Sequence, residues 1–500
     1  MKRYFVIAAT ALSVLCSSCS DWLDINYDPN SPAEENVQTD MILPAVEAAL
    51  GTTLGVNLNI IGGYQAEYYA HQFGISNYLD YSQFNVSSTN TSGAYTQLYQ
   101  KVLVNCQTIQ NKAQAEEDWG TNLAAATIRA YALQLLVDMY GAVPYTEALN
   151  TSILMPKFDE GEVVYEGVIA ELDEALSKVS EGDAVATSLL LPGETAGAWI
   201  QFANAQKLKM LTRLANVKDV NAAIKALIDE GNFPTEDIAL ADCWSNASGQ
   251  ANPFYSEEFA TWGRATHNIV ANLALVNTMQ PVDNEGAITY TDPRLAMLIL
   301  PNSEGNYVGN ISGTNHSTSE MPFGSTAYWC IPNVNYDSPI YLLTVAETEF
   351  FIAEYYAKAG NMSQAESAYN AALEASCATH GVDPTLVLSH YPFNASNWKQ
   401  SVGVSKWLAL AGVNHWEGYT EVRRLDYPAF GTVTAADMFN GTDLDVSAYQ
   451  AGTLYTPYLY NTQVGKNHLL ERLPFAEAAQ SRNTNCPEYA GYTTPIFWGK

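Results

Sequence analysis

The sequence predicts a mainly α-helical fold, in which tetratricopeptide-like helical hairpins form a scaffold with a loop-rich, partly irregular face. Two observations predict it. Long stretches show helical apolar periodicity, and the segments between them are rich in Asn, Gly, Ser, Thr, Pro and Tyr. The clearest hairpin lies at 346–374, where one helix ends at Gly360 and a second begins after Asn361. One such unit cannot bury its apolar face alone, so we expect several neighbouring hairpins.

Four further stretches repeat apolar residues at the spacing of a helix. The alanine-rich run that ends at Tyr140 is the clearest, and Gly141 followed by Pro144 stops it. In the second helix of the 346–374 hairpin, Ser363 and Glu366 have the spacing of a capping box. The four stretches are 94–116, 120–141, 163–180 and 195–216, and degenerate hairpins are predicted at 121–180 and 195–230.

The apolar leader at the amino terminus predicts export and lipid attachment. Lys2–Arg3 precedes an apolar run, Tyr4–Leu15, which has the length of a signal-peptide core and is shorter than the ~20 residues that span a bilayer. The small pair Ser17–Ser18 suits cleavage before Cys19, the position at which a bacterial lipoprotein accepts its lipid, palmitate included. Cys16 is a competing anchor, and an ordinary signal peptide is the alternative. No later window is expected to span a membrane.

The chain is therefore predicted to consist of a leader, a tether and one folded body. Hydrophobic residues make up 47% of the sequence, which is ample for a large core. The predicted divisions are a signal peptide at 1–18, a lipid-anchored tether at 19–36 and a single domain at 37–500, with helical scaffold at about 40–240 and 340–425 and loop-rich parts at about 241–340 and 426–500.

The charge of the mature chain excludes some classes of partner. Two of the 23 basic residues lie in the leader, so 21 basic and 53 acidic residues remain, a net charge of −32. Such a surface repels nucleic acid and anionic lipid headgroups. After Cys19 the cysteines are an odd number and widely spaced, so we expect mostly buried thiols with one or two bridges open. They are Cys106, Cys243, Cys330, Cys377 and Cys486.

The sequence carries no local catalytic motif. It has no His-Glu-x-x-His, Gly-x-Ser-x-Gly, Gly-Lys-Ser/Thr phosphate loop or Gly-x-Gly-x-x-Gly, and its seven histidines are scattered. We therefore predict no enzyme activity, no cofactor and no metal. Two alternatives stay open: calcium at Asp443-Leu-Asp445, and a glycoside hydrolase, because two carboxylates can cleave a glycoside without a local motif.

Aromatic and amide side chains in loops predict a sugar-binding surface. A sugar ring has an apolar C–H face that a flat aromatic ring covers, and a rim of hydroxyls that amides bond. Aromatic residues in helical phase, such as Tyr64, Tyr68 and Phe73, are predicted to belong to the core instead. The predicted ligand-binding residues are Tyr78, Tyr81, Tyr328 and Trp329 for stacking and Asn85 and Asn90 for hydrogen bonds.

A series of short motifs resembles the SusD/RagB family of lipoproteins, and together they run along nearly the whole mature chain. The series contains Cys19 with Asp21–Asn26, Asp28–Pro32, Asp138–Tyr145, Trp199–Asn204 with Arg213, Asp292–Leu295, the hairpin at 346–374, Trp416–Pro428 and Glu471–Pro474.

The resemblance implies a helical, tetratricopeptide-like scaffold and an outward-facing lipoprotein of the outer membrane. It also implies a SusC-like TonB-dependent transporter as partner, with this chain as the lid that captures glycan. The shared motifs are scaffold motifs: we expect Asp292 and Arg294 to pair or to cap a helix, and Arg423, Arg424 and Arg472 to anchor loops onto helices. Starch-binding members often carry a tryptophan before the first long helix, where this chain has Ser92-Gly-Ala-Tyr95.

The sequence thus predicts a non-catalytic surface lipoprotein that binds polysaccharide or oligosaccharide. A peptide-capturing lipoprotein of the same architecture is the first alternative. A surface glycoside hydrolase, and a structural lid with little affinity of its own, are the others.

Overall fold

The protein is described here from a computed structural model, which covers residues 38–72, 74–260, 268–314, 328–439 and 444–499. The predicted leader, the lipid-bearing Cys19 and the tether lie outside the described residues. The described part is mainly helical, as the sequence predicts.

The first helix runs from Thr39 to Gln65 as α1 (Thr39–Thr52), a π-helical segment (Thr53–Leu58) and α2 (Asn59–Gln65). Within the described residues it is the one helix long and apolar enough to cross a membrane, with a mean hydropathy of 1.4, so the expectation of no such window is wrong. Half of that window is buried inside the protein, and α1 packs on α5 (Val104–Ala115). It therefore serves here as a core helix.

The helices of the amino-terminal half match the four predicted stretches. The longest, α6 (Trp119–Tyr140), is buried on nearly all sides because α5, α7 (Gly161–Leu176) and α8 (Ala196–Leu214) surround it. It ends at Gly141, which takes the left-handed φ of +82° that glycine adopts without strain. The remaining helices of this half are α3 (Leu79–Ser82), α4 (Ser88–Gln97) with a π-helical extension (Leu98–Leu103), α7 (Gly161–Leu176), α8 (Ala196–Leu214) and α9 (Asn221–Glu230).

The predicted hairpin at 346–374 is present as α12 (Val345–Lys358) and α13 (Met362–Thr379), which turn at Gly360. The predicted Ser363–Glu366 capping box is wrong, because Asn361 caps α13 by accepting from the Gln364 amide at 3.3 Å. The other helices are α10 (Leu273–Met279), α11 (Leu295–Leu298), α14 (Thr385–His390), α15 (Trp398–Leu410), α16 (His415–Leu425), α17 (Ala435–Met438) and α18 (Glu477–Arg482), with 3₁₀ turns at Ala395–Asn397 and Phe497–Gly499.

Short antiparallel strands tie distant segments together. The strands are β1 (Tyr69–His71), β2 (Ala142–Val143), β3 (Asp159–Glu160), β4 (Ile238–Leu240), β5 (Ile269–Ala271), β6 (Ile299–Leu300), β7 (Ile331–Pro332) and β8 (Ile340–Leu343). They form two-stranded ladders that pair β1 with β5, β2 with β3, β4 with β8, and β6 with β7. The β1–β5 ladder joins the helical part to the loop-rich part, and the β6–β7 ladder lies within the loop-rich part.

A buried ionic network joins the scaffold helices. Arg213 on α8 pairs with Asp138 on α6 at 2.7 Å and with Glu421 on α16 at 2.9 Å, and it also contacts Glu417. All four side chains are essentially buried. A buried charge needs a partner, so this network fixes how the three helices meet.

The arginines of the shared motifs take the predicted roles only in part. Arg294 pairs with Asp292 at 2.7 Å, as predicted. Arg472 lies outside the helices and donates to the Thr494 and Pro495 carbonyls, so these bonds join two loops rather than a loop and a helix. Arg423 donates to the Glu471 carbonyl and so anchors a loop on α16. Arg424 differs, because it pairs with Glu354 and joins α16 to α12, two helices.

The cysteines confirm the expectation of thiols. Cys106, Cys243, Cys330, Cys377 and Cys486 are all free, and three of them are buried. Burial raises the pKa of the Cys106 thiol to about 12, which keeps it protonated and unreactive at neutral pH.

Candidate functional site

Three tyrosines meet where α2 and α3 end at the loop-rich face. The Tyr64 ring lies 6.1 Å from the Tyr81 ring and stacks on it at 26°, and it also lies 6.1 Å from the Tyr78 ring. The Tyr78 and Tyr81 rings are 5.8 Å apart. Tyr64 is buried, whereas Tyr78 and Tyr81 are half-buried. This tyrosine cluster (Tyr64, Tyr78 and Tyr81) therefore has a buried base and two rings that are partly accessible from solvent.

The backbone of Tyr78 is held in the left-handed region, with φ of +62°. A bulky side chain is rare there and costs of order 1–3 kcal/mol, so surrounding contacts must fix it. The Tyr78 carbonyl accepts from the Ser82 amide at 3.1 Å, and the Ser82 hydroxyl bonds the His71 ring at 3.0 Å. Backbone strain of this kind concentrates at functional sites, and Tyr78 is one of the two half-buried rings of the tyrosine cluster.

Polar groups from a distant segment surround the cluster. Tyr78 hydrogen-bonds the Glu258 carboxylate, which also accepts from the Asn268 amide at 3.2 Å. Asn77 donates to Asn268 at 3.3 Å, which extends the chain of polar groups. Burial raises the pKa of Glu258, while its bonds to Tyr78 and Asn268 act in the opposite direction. The cluster thus combines aromatic faces with amide and carboxyl groups at their edge.

The structure brings together three of the predicted ligand-binding residues, Tyr78, Tyr81 and Asn90. Asn90 hydrogen-bonds Tyr81 and also closes a capping box at the start of α4, where it accepts from the Ser87 amide at 2.7 Å. Asn90 therefore holds Tyr81 in place and has part of its amide occupied. Asn85 is exposed in the loop that follows Tyr81, and its backbone N–H donates to the Asp80 carbonyl at 2.8 Å.

The other two predicted residues belong to a different loop. The Tyr328 and Trp329 rings are 5.0 Å apart and perpendicular, and the Tyr328 carbonyl accepts from Asn302 at 3.0 Å. Tyr328 is half-buried, but Trp329 is only 2% exposed. The burial of Trp329 leaves no ring face for a sugar, so only Tyr328 of this pair stays a candidate for stacking.

Two residues of this site are absent from the sequence prediction. Glu258 and Asn268 lie almost 200 residues after Tyr78, with no spacing that links them to the tyrosines. Only the tertiary contacts reveal them.

Within the described part of the chain, no group of three or more His, Cys, Asp or Glu side chains is arranged to hold an ion. Of the calcium alternative, Asp443 lies outside the described residues. Hydrogen bonds from Ser447, including its amide at 2.9 Å, lower the pKa of Asp445.

Comparison with solved structures shows what this fold is similar to. A SusD homologue from Bacteroides uniformis has a TM-score of 0.69 at 16% identity, over 91% of this chain and 99% of that one. A SusD/RagB family protein from Bacteroides thetaiotaomicron has a TM-score of 0.67 at 19% identity, over 93% and 99%. A chitin-binding SusD homologue from Flavobacterium johnsoniae has a TM-score of 0.68 at 16% identity, over 91% and 98%.

Comparison by sequence gives the family. No curated protein matches the chain. A family model described as SusD-like, "Starch-binding associating with outer membrane", matches residues 37–446. That match covers most of the sequence and agrees with the helical fold and with the scaffold motifs, and the chain therefore belongs to the SusD-like family.

Proposed function

We propose that this chain is a non-catalytic glycan-binding protein of the cell surface, which captures polysaccharide or oligosaccharide for import by a SusC-like TonB-dependent transporter. The observation that carries the proposal is the tyrosine cluster, whose two accessible rings lie beside amide and carboxyl groups. Family membership supports it, since the matching family model is described as starch-binding and outer-membrane-associated. One structural neighbour is described as chitin-binding.

In this proposal Tyr78 and Tyr81 cover the apolar face of a sugar ring, and Asn85 and Asn90 bond its hydroxyls. Tyr328, which lies in a different loop, is a further candidate for stacking. Each stacked ring contributes about 1 kcal/mol, by analogy with aromatic pairs. Two or three such rings with hydrogen bonds give about −4 to −8 kcal/mol, which corresponds to a Kd from millimolar to micromolar.

The rest of the proposal concerns location and partners. Cys19 carries the lipid that holds the chain at the outer surface of the outer membrane, and the segment 19–36 is the tether of a single domain at 37–500. The only contact with the membrane is through that lipid. No cofactor takes part, and the net charge of −32 on the mature chain, from 21 basic and 53 acidic residues, disfavours nucleic acid.

Affinity electrophoresis tests the proposal directly. The chain from Ser20 is run through gels that contain starch, glycol chitin, xylan or mannan, beside Tyr81→Ala and Tyr356→Ala. Tyr356 is a matched control, because it is also a half-buried tyrosine but lies on the scaffold helix α12. We expect one polysaccharide to retard the wild-type chain and the control. Tyr81→Ala should bind about fivefold more weakly, the factor that about 1 kcal/mol gives.

Parallel measurements decide among the alternatives. Equal retardation of Tyr81→Ala and the wild type would contradict the assigned site. Heat on addition of a peptide mixture, with no retardation in any gel, would support peptide capture. Release of reducing sugar would support a hydrolase, and silence in every assay would support a lid that binds only with its barrel.

A further inference from the structure

A second concave site lies between the loop-rich face and the helical scaffold. It is a cavity of about 200 Å³, far above the roughly 10–15 Å³ that one water requires. Its floor contains Tyr68, Asn414 and His415, which are buried, and its rim contains Met297, which is 47% exposed. None of the three residues of the tyrosine cluster lines it.

One wall of this cavity is aromatic. The Tyr69 and Phe254 rings stack at 5.9 Å with an angle of 12°, and the His415 ring lies 4.6 Å from Tyr69. Leu54 and Leu298 are among the aliphatic residues that line the cavity. Such a surface matches the C–H face of a ring rather than a fully polar ligand.

The polar groups of the cavity include amides and imidazoles as well as hydroxyls. Asn59 donates to the Tyr69 hydroxyl at 3.4 Å and Asn333 donates to the Met297 carbonyl at 3.2 Å, so each amide keeps further capacity. His380 also lines the cavity, and its Nε2 atom is buried and has no hydrogen-bond partner among the described residues. A buried polar atom without a partner is costly, so this atom is a position where a ligand or water bonds.

The cavity offers nothing to neutralise an ion. None of the lining residues is Asp, Glu, Lys or Arg. Burial lowers the pKa of His380 to about 4 and that of His415 to about 3, so both imidazoles are neutral at neutral pH. An unpaired charge is strongly disfavoured in such a site, which argues against free peptide termini, phosphate, sulfated sugars and uronic acids.

We propose that this cavity is a second binding site, which takes one uncharged sugar ring. The apolar C–H groups of the ring pack against the apolar and aromatic lining, which includes Leu298, Tyr69 and Phe254, and its hydroxyls bond Asn59, Asn333 and the Nε2 atom of His380. This inference rests on the proposed function, because it assumes that the ligand is a glycan. It adds a second site, for a single sugar ring, to the tyrosine cluster, which contacts the longer glycan chain.

The test uses saturation-transfer NMR on the full mature chain with glucose, galactose, mannose, xylose and N-acetylglucosamine as probes. Glucuronic acid is the charged comparison. Met297→Trp places a large ring at the rim of the cavity, and Met155→Trp is the matched control, since Met155 is 46% exposed and does not line the cavity. We expect at least one uncharged sugar to be saturated by the wild type and by Met155→Trp. Met297→Trp should lower the saturation of that sugar, because only the tyrosine cluster then contacts it, and glucuronic acid should give less saturation than the uncharged sugar.

A second variant protects the test against a folding defect. His380→Phe keeps a ring at this position and removes its nitrogens. We expect this substitution to raise the Kd of the bound sugar by about tenfold, because a buried hydrogen bond is lost. If Met297→Trp unfolds at a lower temperature than the wild type, His380→Phe decides. Unchanged affinity in the deciding variant, or no saturation of any sugar by the wild type, would overturn the inference.

The gels separate this inference from the proposed function. If a polysaccharide retards both the wild type and Met297→Trp, while Met297→Trp binds the single sugar more weakly, the two sites are independent. If no polysaccharide retards the wild type, but Met297→Trp still weakens binding of the single sugar, the tyrosine cluster is refuted as a binding site and the cavity site is retained.

Discussion

The buried carboxyl group of Glu47 predicts a measurable pH dependence of stability. Glu47 lies in α1 with no solvent exposure, and it accepts from the Ser188 hydroxyl at 2.6 Å and from the Leu189 amide. Burial raises the pKa of this carboxyl from 4.5 to about 7, although both hydrogen bonds lower it. The proposed perturbation is Glu47→Gln, which keeps the shape of the side chain and cannot ionise.

The sign follows from proton binding. Between pH 4.5 and about 7 the folded chain holds a proton on Glu47 that the unfolded chain has lost, so stability falls as pH rises through this window. At 1.36 kcal/mol per pH unit, ionisation of Glu47 destabilises the fold by about 3 kcal/mol above pH 7, of which about 2.5 kcal/mol develops between pH 5 and pH 8.

Urea unfolding of both proteins at pH 5 and pH 8 measures the effect. The free energy of unfolding of Glu47→Gln should gain about 2.5 kcal/mol on that of the wild type between the two pH values. Glu471, whose pKa burial also raises to about 7, is present in both proteins and cancels in the comparison. A difference that stays constant with pH would refute the reasoning, because Glu47 would then have an ordinary pKa in the folded chain.

Two further predictions concern the scaffold. Arg213→Ala leaves Asp138 buried without its cation and removes the closer of the two cations of Glu417, whose other cation is Lys209 at 3.5 Å. It should lower the free energy of unfolding in urea by about 3–5 kcal/mol, whereas removal of Lys225 from its exposed pair should change little. Gly62→Ala puts a Cβ 2.5 Å from the His415 carbonyl oxygen and should cost about 1–3 kcal/mol by the same assay. Gly93→Ala, with its nearest atom at 3.4 Å, should cost nothing. Equal stability within either pair would contradict the contact concerned.

The family and the helical scaffold could be predicted from the sequence because their signals are local. Apolar residues repeat along single helices, so the predicted stretches correspond to α6, α7 and α8 and to the hairpin of α12 and α13. The pairing of Asp292 with Arg294 is equally local, since only Pro293 lies between them. Even here the exact helix ends are hard to predict, because several nearby polar residues can cap the same helix. Asn361 caps α13, whereas the sequence predicts a capping box that begins at Ser363.

The candidate site was only partly predictable, because burial and partnership depend on the whole fold. In the sequence Tyr78, Tyr81, Tyr328 and Trp329 are equivalent loop aromatics, yet packing covers Trp329 and leaves the two cluster tyrosines half-buried. Asn90 has the polar amide that a ligand contact needs, but the structure uses it in a capping box and on Tyr81.

The helical class, the hairpin at 346–374 and the family follow from the sequence alone, since each depends on residues close together in the chain. Only the folded structure shows that Glu258 contacts both Tyr78 and Asn268, and that a cavity opens beside Met297. These contacts join segments far apart in sequence, and no local sequence pattern shows which of their side chains will meet in the folded chain.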